Sequence, residues 1–156
     1  MLVLDKHSKK IAVKGFQMRI KNTSRYPNSD ILRLVKFASK GTNSERVEMH
    51  VKNSKWAFAG RAWHDVGNSS IIKVDDQIDD LIVIRIGSPD KFPMTFKYPG
   101  LKRAPKYTLN NWKEAIVSLT AHELYHIKQR RTRKRASEIK AEAWAMKKLK
   151  EYREIV

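Results

Sequence analysis

The chain contains no cysteine among its 156 residues. Disulfide scaffolds, cysteine-based metal fingers and thiol catalysis are therefore excluded, and any metal ion must be bound by histidine and carboxylate side chains. No apolar run approaches the roughly 18 residues that span a membrane, and the first residues lack the pattern of a signal peptide. We therefore expect a cytoplasmic protein that makes no use of a membrane.

Acidic residues are scarce relative to basic ones. The chain has 16 Asp and Glu against 33 Lys and Arg, a net charge of +17. Such an excess favours a polyanionic partner, because Lys and Arg that neutralise phosphates release counterions, although a basic surface can also be merely solvated. The densest basic run predicts non-specific nucleic-acid contacts; its members are Lys128, Arg130, Arg131, Arg133, Lys134 and Arg135.

The remaining composition is that of a globular protein. Hydrophobic residues make up 41% of the chain and charged residues 31%, which is enough apolar material to form a core. The length is that of one domain, and we find no internal repeat or low-complexity linker. We therefore expect residues 1–156 to form a single domain.

Alternating apolar and polar residues predict the strands of a half-buried sheet. The alternation between Ile11 and Ile20 slips once around Gly15, which is compatible with a β-bulge. The pattern returns at Val47, Met49 and Val51. Further strands are predicted at 56–63, 71–74 and 81–86, with a turn at 68–70.

The first predicted helix follows a turn at residues 26–30, and its apolar residues recur at helical spacing until Gly41. Residues 87–108 are rich in proline and glycine, which predicts a long irregular connection.

Two helices are predicted to close the chain. One runs from Asn110 or Asn111 to about Gln129, and the last begins after Ser137, a favourable N-cap residue. The order of elements predicts an α+β fold in which helices pack on a mostly antiparallel sheet.

His122, Glu123 and His126 form an HExxH motif in the penultimate predicted helix. Histidines at i and i+4 lie one turn apart on the same helix face, so both imidazoles can reach one metal ion. Glu123 can hold a water molecule beside that ion and accept its proton, which makes it the expected general base. The motif predicts a zinc site, either catalytic or purely structural; the alternative is a chance pair of surface histidines.

A catalytic zinc site needs a third protein ligand. Glu138 is the best candidate, because it lies in the first turn of the last predicted helix and a chain reversal would return it to the metal. Glu142 lies one turn further on the same face, and we expect it to accept a hydrogen bond from the free N–H of a ligand histidine. The spacing also permits the two acids to exchange these roles.

The segment from Glu138 to Ala145 resembles the E-x-x-A-(N/D)-x-(F/W)-A signature of the ImmA/IrrE family, compact gluzincin-like metallopeptidases of bacteria and phages that cleave repressors. The resemblance covers residues 115–150 and implies a minimal zincin-like domain: an N-terminal helix on the sheet, then the HExxH helix and a Glu-bearing C-terminal helix. It also implies that Glu138 is the third zinc ligand. Glu142 and Lys140 depart from the signature, since the family has Asn or Asp and often a second acid at these positions. The SprT-like proteases are a weaker resemblance, because they use a third histidine and no histidine follows His126.

Other polar and aromatic residues are weaker candidates. His64 could stabilise an oxyanion or bind the metal, whereas His50 is expected to be structural and to point out from its strand. A tyrosine could polarise the scissile carbonyl, and the sequence does not choose among Tyr98, Tyr107 and Tyr125. The four tryptophans are expected in the core rather than stacked on nucleic-acid bases; they are Trp56, Trp63, Trp112 and Trp144.

Two functions follow from these patterns. The first is a zinc-dependent endopeptidase that acts on intracellular proteins and is recruited to nucleic acid or acidic targets by its basic surface. The second is a nucleic-acid-binding protein whose zinc site is structural or degenerate. The sequence does not indicate the substrate or the oligomeric state.

Overall fold

The computed structural model of the protein describes residues 2–4, 10–13, 16–68 and 77–156. Its helices are α1 (Asn28–Ala38), α2 (Trp112–Arg131) and α3 (Glu138–Ile155). Its strands are β1 (Leu2–Leu4), β2 (Lys10–Val13), β3 (Phe16–Asn22), β4 (Val47–Asn53), β5 (Phe58–Trp63), β6 (Asp80–Ile86), β7 (Met94–Lys97) and β8 (Lys106–Leu109). Within these ranges, no helix combines the length and apolar character that crossing a bilayer requires.

Six strands form one mixed sheet in the order β1-β2-β3-β4-β6-β5. The central strands β3, β4 and β6 run parallel, while β1, β2 and β5 pair antiparallel with their neighbours. The fold is therefore mixed α+β, as predicted. Three of the five strand pairings in this sheet are antiparallel, which agrees with the expectation of a mostly antiparallel sheet. The parallel centre was not predicted, because strand direction depends on the crossovers and leaves little trace in apolar alternation.

The helices cover one face of this sheet. Side chains of the central strands that point to the helices are fully buried, among them Ile20, Met49 and Ile84. α1 packs against them with an apolar stripe that begins at Ile31 and repeats at helical spacing. α2 lies between α1, α3 and strands β5 and β6, so it is buried along most of its length. The HExxH motif therefore lies on the most enclosed helix of the described structure.

Three predictions of strands and turns differ from the structure or fall partly outside the described residues. The stretch between Ile11 and Ile20 is a β2–β3 hairpin rather than one bulged strand, with a register shift between Ile11 and Val13. Gly15 and the predicted strand at 71–74 lie outside the described residues. The turn at 68–70 is described only to Asn68, which ends a short 3-10 turn.

Residues 87–108 are more regular than predicted. They contain β7 and the start of β8, which form an antiparallel hairpin with Phe96 opposite Tyr107. Phe96 packs edge-on against Phe58 of β5, with ring centroids 5.1 Å apart. This aromatic contact packs the hairpin against the edge strand of the main sheet. The hairpin could not be predicted from the sequence, because the segment is rich in proline and glycine.

The start of α3 confirms Ser137 as its N-cap, and α2 begins after Asn111, within the predicted range for its start. The side chain of Asn111 accepts the N–H of Glu114 at 3.0 Å, and that of Ser137 accepts the N–H of Lys140 at 3.2 Å. α2 ends with Arg133 in the left-handed region (φ 56°), and the N–H of Lys134 bonds to the carbonyl of Gln129. This is the hydrogen-bond pattern of a Schellman motif, which turns the chain back towards α2.

The prediction that all four tryptophans lie in the core is wrong for Trp56, which is 77% exposed. Trp112 and Trp144 pack against the main core, and Trp63 packs against a small second cluster formed by Val66, Ile78 and Leu81. The error at Trp56 arises because a lone tryptophan in a loop carries no periodicity that reports its burial.

Candidate metal centre

Three side-chain donors converge between α2 and the first turn of α3. The Nε2 atoms of His122 and His126 lie 3.1 Å apart. Glu138 lies beside both, with Oε2 3.0 Å from Nε2 of His122 and Oε1 3.0 Å from Nε2 of His126. One donor atom from each of the three residues lies within 4.8 Å of the others, so the group can hold a metal ion.

The distances between these donor atoms, and the lack of a hydrogen-bond partner for one of them, are compatible with a cation bound between them. Ligands about 2.0–2.2 Å from a tetrahedral zinc ion stand roughly 3.3–3.6 Å apart, so the donors at 3.0 and 3.1 Å need to separate only slightly to admit the ion. Oε2 of Glu138 is buried and takes part in no hydrogen bond, although it lies close to His122. A buried carboxylate oxygen left in this way is costly unless a cation neutralises it. The residues present therefore fit a divalent metal, and the same donors would accept several first-row ions.

Glu142 contacts the other side of the first histidine. Its Oε1 lies 2.6 Å from Nδ1 of His122, and its side chain is buried beneath the cluster. Burial lowers the pKa of His122, but the hydrogen bond with Glu142 and the carboxylates of Glu123 and Glu138 outweigh it, so the pKa is raised. Glu138 is thus the acid beside both Nε2 atoms, while Glu142 contacts the far nitrogen of one ring. This geometry favours the predicted roles of the two acids over the exchanged ones.

Gln129 was missed by the sequence analysis. Its Oε1 lies 2.9 Å from Nδ1 of His126, and the same oxygen accepts the N–H of Ser137 at 3.3 Å. An N–H on Nδ1 that donates to this amide leaves the lone pair of Nε2 free for a metal. The only signal in the sequence is its position three residues after His126, one turn along the same helix face.

Glu123 is buried at the bottom of a cleft. Its burial raises the pKa of the carboxyl group, an effect that the nearby His122 and His126 only partly offset. Strand β5 passes directly over it at Gly60, where an added Cβ would lie 3.2 Å from Leu119 and 3.5 Å from Oε1 of Glu123. The absence of a side chain at Gly60 therefore lets strand and helix approach each other at the candidate base.

The cleft has a volume of about 830 Å³ and is bounded by β5, the β7–β8 hairpin, α2 and the start of α3. Two of the three candidate tyrosines line it, Tyr98 and Tyr107, whereas Tyr125 packs on Trp144 instead. The ring of Tyr98 stacks on His122 at 6.3 Å, and burial, reinforced by Glu138 and Glu123, raises its pKa. Burial also raises the pKa of Tyr107 strongly. Both hydroxyls therefore remain protonated near neutral pH and can donate hydrogen bonds.

His64 also lines the cleft. Its Nδ1 lies 3.2 Å from Asp80, a buried carboxylate that also pairs with Arg131 at 2.8 Å. Burial alone would raise the pKa of Asp80, but the bonds from His64 and Arg131 lower it overall. His50 lies elsewhere, on the outer face of β4 with Nε2 3.0 Å from Glu48, so it takes no part in the cleft.

The members of the predicted basic run lie in different surroundings. Arg130 is paired with Asp65 and Arg131 with Asp80, while Lys128 lies over the rings of Tyr125 and Trp144. Arg133 and Lys134 line the cleft together with Arg130, and Arg135 is exposed.

Taken together, the cluster joins three metal-type donors, a buried carboxylate and protonated tyrosines in one open cleft. Such an arrangement can bind a divalent cation, hold a water molecule beside it and remove a proton from that water. Comparison with known proteins adds no assignment: no protein-family model, no curated protein and no solved structure matches this chain.

Proposed function

We propose that the protein is a zinc-dependent endopeptidase. The observation that carries the proposal is the convergence of His122, His126 and Glu138 beside the buried carboxylate of Glu123. Three protein ligands leave one position of a tetrahedral ion open, which distinguishes catalytic from structural zinc sites. Zinc, when bound, supplies a Lewis acid that polarises the scissile carbonyl and acidifies a neighbouring water.

Glu123 performs the proton transfers in this proposal. Its carboxylate accepts a proton from the attacking water as the water oxygen bonds to the carbonyl carbon, and then delivers that proton to the amide nitrogen as the C–N bond breaks. The raised pKa of Glu123 suits both steps, because a more basic carboxylate accepts a proton more readily and its acid form persists closer to neutral pH.

The substrate would lie extended along β5. β5 is an edge strand of the sheet, and no described strand pairs with its outer side. An unpaired strand edge binds an extended peptide by main-chain hydrogen bonds, and this edge borders the cleft that contains Glu123. Tyr98 and His64 line the same cleft and are the candidates to donate a hydrogen bond to the carbonyl oxygen as negative charge develops.

The test is Glu123→Gln, measured by cleavage of unfolded casein together with zinc content by elemental analysis. We expect hydrolysis to fall at least about 100-fold, the usual contribution of a general base, with zinc content unchanged. Glu154→Gln on the exposed end of α3 is the matched control and should retain full activity. Equal activity in the wild type and in Glu123→Gln would refute the proposal.

The second candidate is a nucleic-acid-binding protein with a structural zinc site. The net charge of +17 is the observation in its favour. Under this alternative, the wild type would cleave no protein and Glu123→Gln would change neither zinc content nor nucleic-acid binding. The recruitment of an endopeptidase to nucleic acid combines both properties. Casein cleavage and nucleic-acid binding, measured together, separate the three cases.

A further inference from the structure

The face of the sheet that points away from the helices is basic. Register places Lys21 beside His50 on the neighbouring strand, and Lys52 beside Arg85. These partners share a face because residues that pair in a sheet point to the same side. Among the described residues, the second hydrophobic cluster covers this face at Leu81 and Val83 of β6. We call Lys21, Lys52 and Arg85 the outer cations.

The outer cations have no carboxylate partner in the described structure, unlike the two paired arginines of the basic run. Arg130 and Arg131 are each paired with an aspartate, whereas no ion pair involves an outer cation. Glu48 is the acidic side chain at an outward position of β4, and its carboxylate lies 3.0 Å from His50. No carboxylate of the described residues therefore neutralises the charge of the outer cations.

Two of the outer cations also line a concave site. A depression of about 270 Å³ on this face is lined by Lys21, Thr23, His50 and Lys52. Ammonium, hydroxyl and imidazole groups around one hollow are donors suited to a phosphate group.

Trp56 lies in the loop between β4 and β5, and hydrogen bonds fix this loop to the sheet. The loop is tied to β6 by hydrogen bonds from Ser54 N–H to the carbonyl of Ile86 (3.0 Å) and from Gly87 N–H to that of Ala57 (2.8 Å). A Cβ at Gly87 would lie only 2.0 Å from the carbonyl oxygen of Trp56, so the close approach requires glycine. The loop thus presents a 77% exposed indole next to the exposed Lys55. The exposed ring of Trp56 is therefore accessible for stacking on a ligand, as tryptophans at interfaces are.

We propose that the outer cations and Trp56 form a binding surface for single-stranded nucleic acid. The cations contact the phosphates, and Trp56 stacks on an unpaired base, which a duplex does not offer. The surface is separate from the cleft and its metal donors, so the inference does not rest on the proposed endopeptidase activity. It also moves the expected nucleic-acid contacts from the run 128–135 to the opposite face of the sheet.

The test measures binding of a fluorescein-labelled dT20 strand and of a 20-base-pair duplex by fluorescence anisotropy at several salt concentrations, with full-length protein carrying Glu123→Gln. In this background, the combined substitution Lys21→Glu, Lys52→Glu and Arg85→Glu should weaken dT20 binding at least about tenfold at low salt and reduce the salt dependence. Trp56→Ala should weaken it roughly 5- to 100-fold with little change in salt dependence.

The matched control reverses three exposed lysines on the helical side, Lys36, Lys40 and Lys150, and changes the net charge equally. It should bind dT20 nearly as well as the parent protein. Equal losses in both triple variants, or Trp56→Ala binding like the parent, would overturn the proposal, as would a preference for the duplex. If the triple reversal fails to fold by circular dichroism, the neutral Gln versions of the same sites give the same comparison. Failure of the endopeptidase proposal would leave these results unchanged, because binding is measured without turnover.

Discussion

Oε1 of Gln129 lies 2.9 Å from Nδ1 of His126 and also accepts the N–H of Ser137. One amide therefore orients a candidate metal ligand and fixes the residue that caps α3, the helix whose first residue is Glu138. Two of the three donors depend on this contact, although Gln129 contributes no donor to the cluster itself.

We predict that Gln129→Ala lowers zinc affinity by roughly 10- to 100-fold, the usual cost of losing a partner of a ligand histidine. The loss arises because Nδ1 of His126 no longer has an acceptor and Ser137 loses its link to α2. Gln129→Glu keeps the acceptor oxygen and should retain most of the affinity. Competition with a chromogenic chelator measures both variants, and equal affinities for the Ala and Glu variants would contradict the role.

The two acids of α3 should respond differently to substitution. Glu138→Ala removes a donor and should reduce zinc occupancy sharply, as should His122→Ala and His126→Ala. Glu142→Ala leaves all three donors and removes only the acceptor for Nδ1 of His122, so we expect weaker binding but substantial occupancy. Elemental analysis after dialysis measures both. Full zinc in Glu138→Ala, with loss in Glu142→Ala, would reverse the assignment.

Gly60 should control access to Glu123. Gly60→Val places methyl groups between β5 and α2, where even the Cβ lies 3.5 Å from Oε1 of Glu123. We expect casein hydrolysis to fall at least about tenfold with zinc content unchanged, because a displacement of about 1 Å at the reacting groups can cost still more. Ala59→Val adds less bulk and does so on the opposite face of the same strand; Ala59 also borders the cleft, but its side chain points away from Glu123, so this variant should retain most activity. Similar losses in both variants would show that β5 merely tolerates no added bulk.

The sequence was sufficient for the features that are local. The cap at Ser137, the start of α2 near Asn111 and the HExxH spacing each depend on residues within about one turn of a helix, so they could be predicted without knowledge of the fold. For the same reason, Glu138 could be predicted to lie in the first turn of α3.

Features that join distant segments could not be predicted. The β7–β8 hairpin depends on the contact of Phe96 with Phe58, and the pairing of His64 with Asp80 depends on where β6 begins. The dispersal of the basic run has the same origin, since Asp65 and Asp80 take up Arg130 and Arg131 only in the folded chain. Tertiary partners of this kind leave no periodic pattern in the sequence.

An ion pair between Glu114 and Arg153 joins the N-terminal end of α2 to the C-terminal end of α3. The buried Glu114 accepts hydrogen bonds from Arg153 at 2.7 Å and from the N–H of Asn110 at 2.9 Å. Burial would raise the pKa of Glu114, but these bonds lower it overall. A lowered pKa in the folded state means that the ionised carboxylate stabilises the fold above its ordinary pKa, and that this contribution is lost as the pH falls through the folded value.

We therefore predict that Glu114→Gln lowers the free energy of unfolding by about 1–3 kcal/mol at pH 7. The difference from the wild type should begin to narrow near pH 4.5, the ordinary value for this carboxyl group, and continue to shrink below it. Urea unfolding in the presence of chelator at pH 7 and at pH 3 measures it, with Glu154→Gln as the exposed control. A difference that stays constant between the two pH values would show that the ionised form is not what stabilises the contact.

Arg133 and Lys134 are the members of the basic run that line the cleft without an ion-pair partner in the described structure. Positive charge at the mouth of a cleft raises the local concentration of acidic substrates and speeds their association. We predict that Arg133→Gln combined with Lys134→Gln lowers kcat/KM for an acidic unfolded substrate by about tenfold at low salt, with little effect on a neutral one. Peptides that differ only in charge, assayed at two salt concentrations, measure the effect.

The matched control is Lys128→Gln combined with Arg135→Gln, which removes the same charge from the same run but lies outside the cleft lining. If the acidic preference arises from the field inside the cleft, the control keeps it and high salt weakens it in the wild type, because screening acts over about 8–10 Å at moderate ionic strength. Equal losses in the two variants would instead attribute the preference to net charge. Activity that is independent of substrate charge and of salt would show that these cations are solvated surface residues. In that case we expect single-stranded DNA to stimulate cleavage only of substrates that themselves bind DNA.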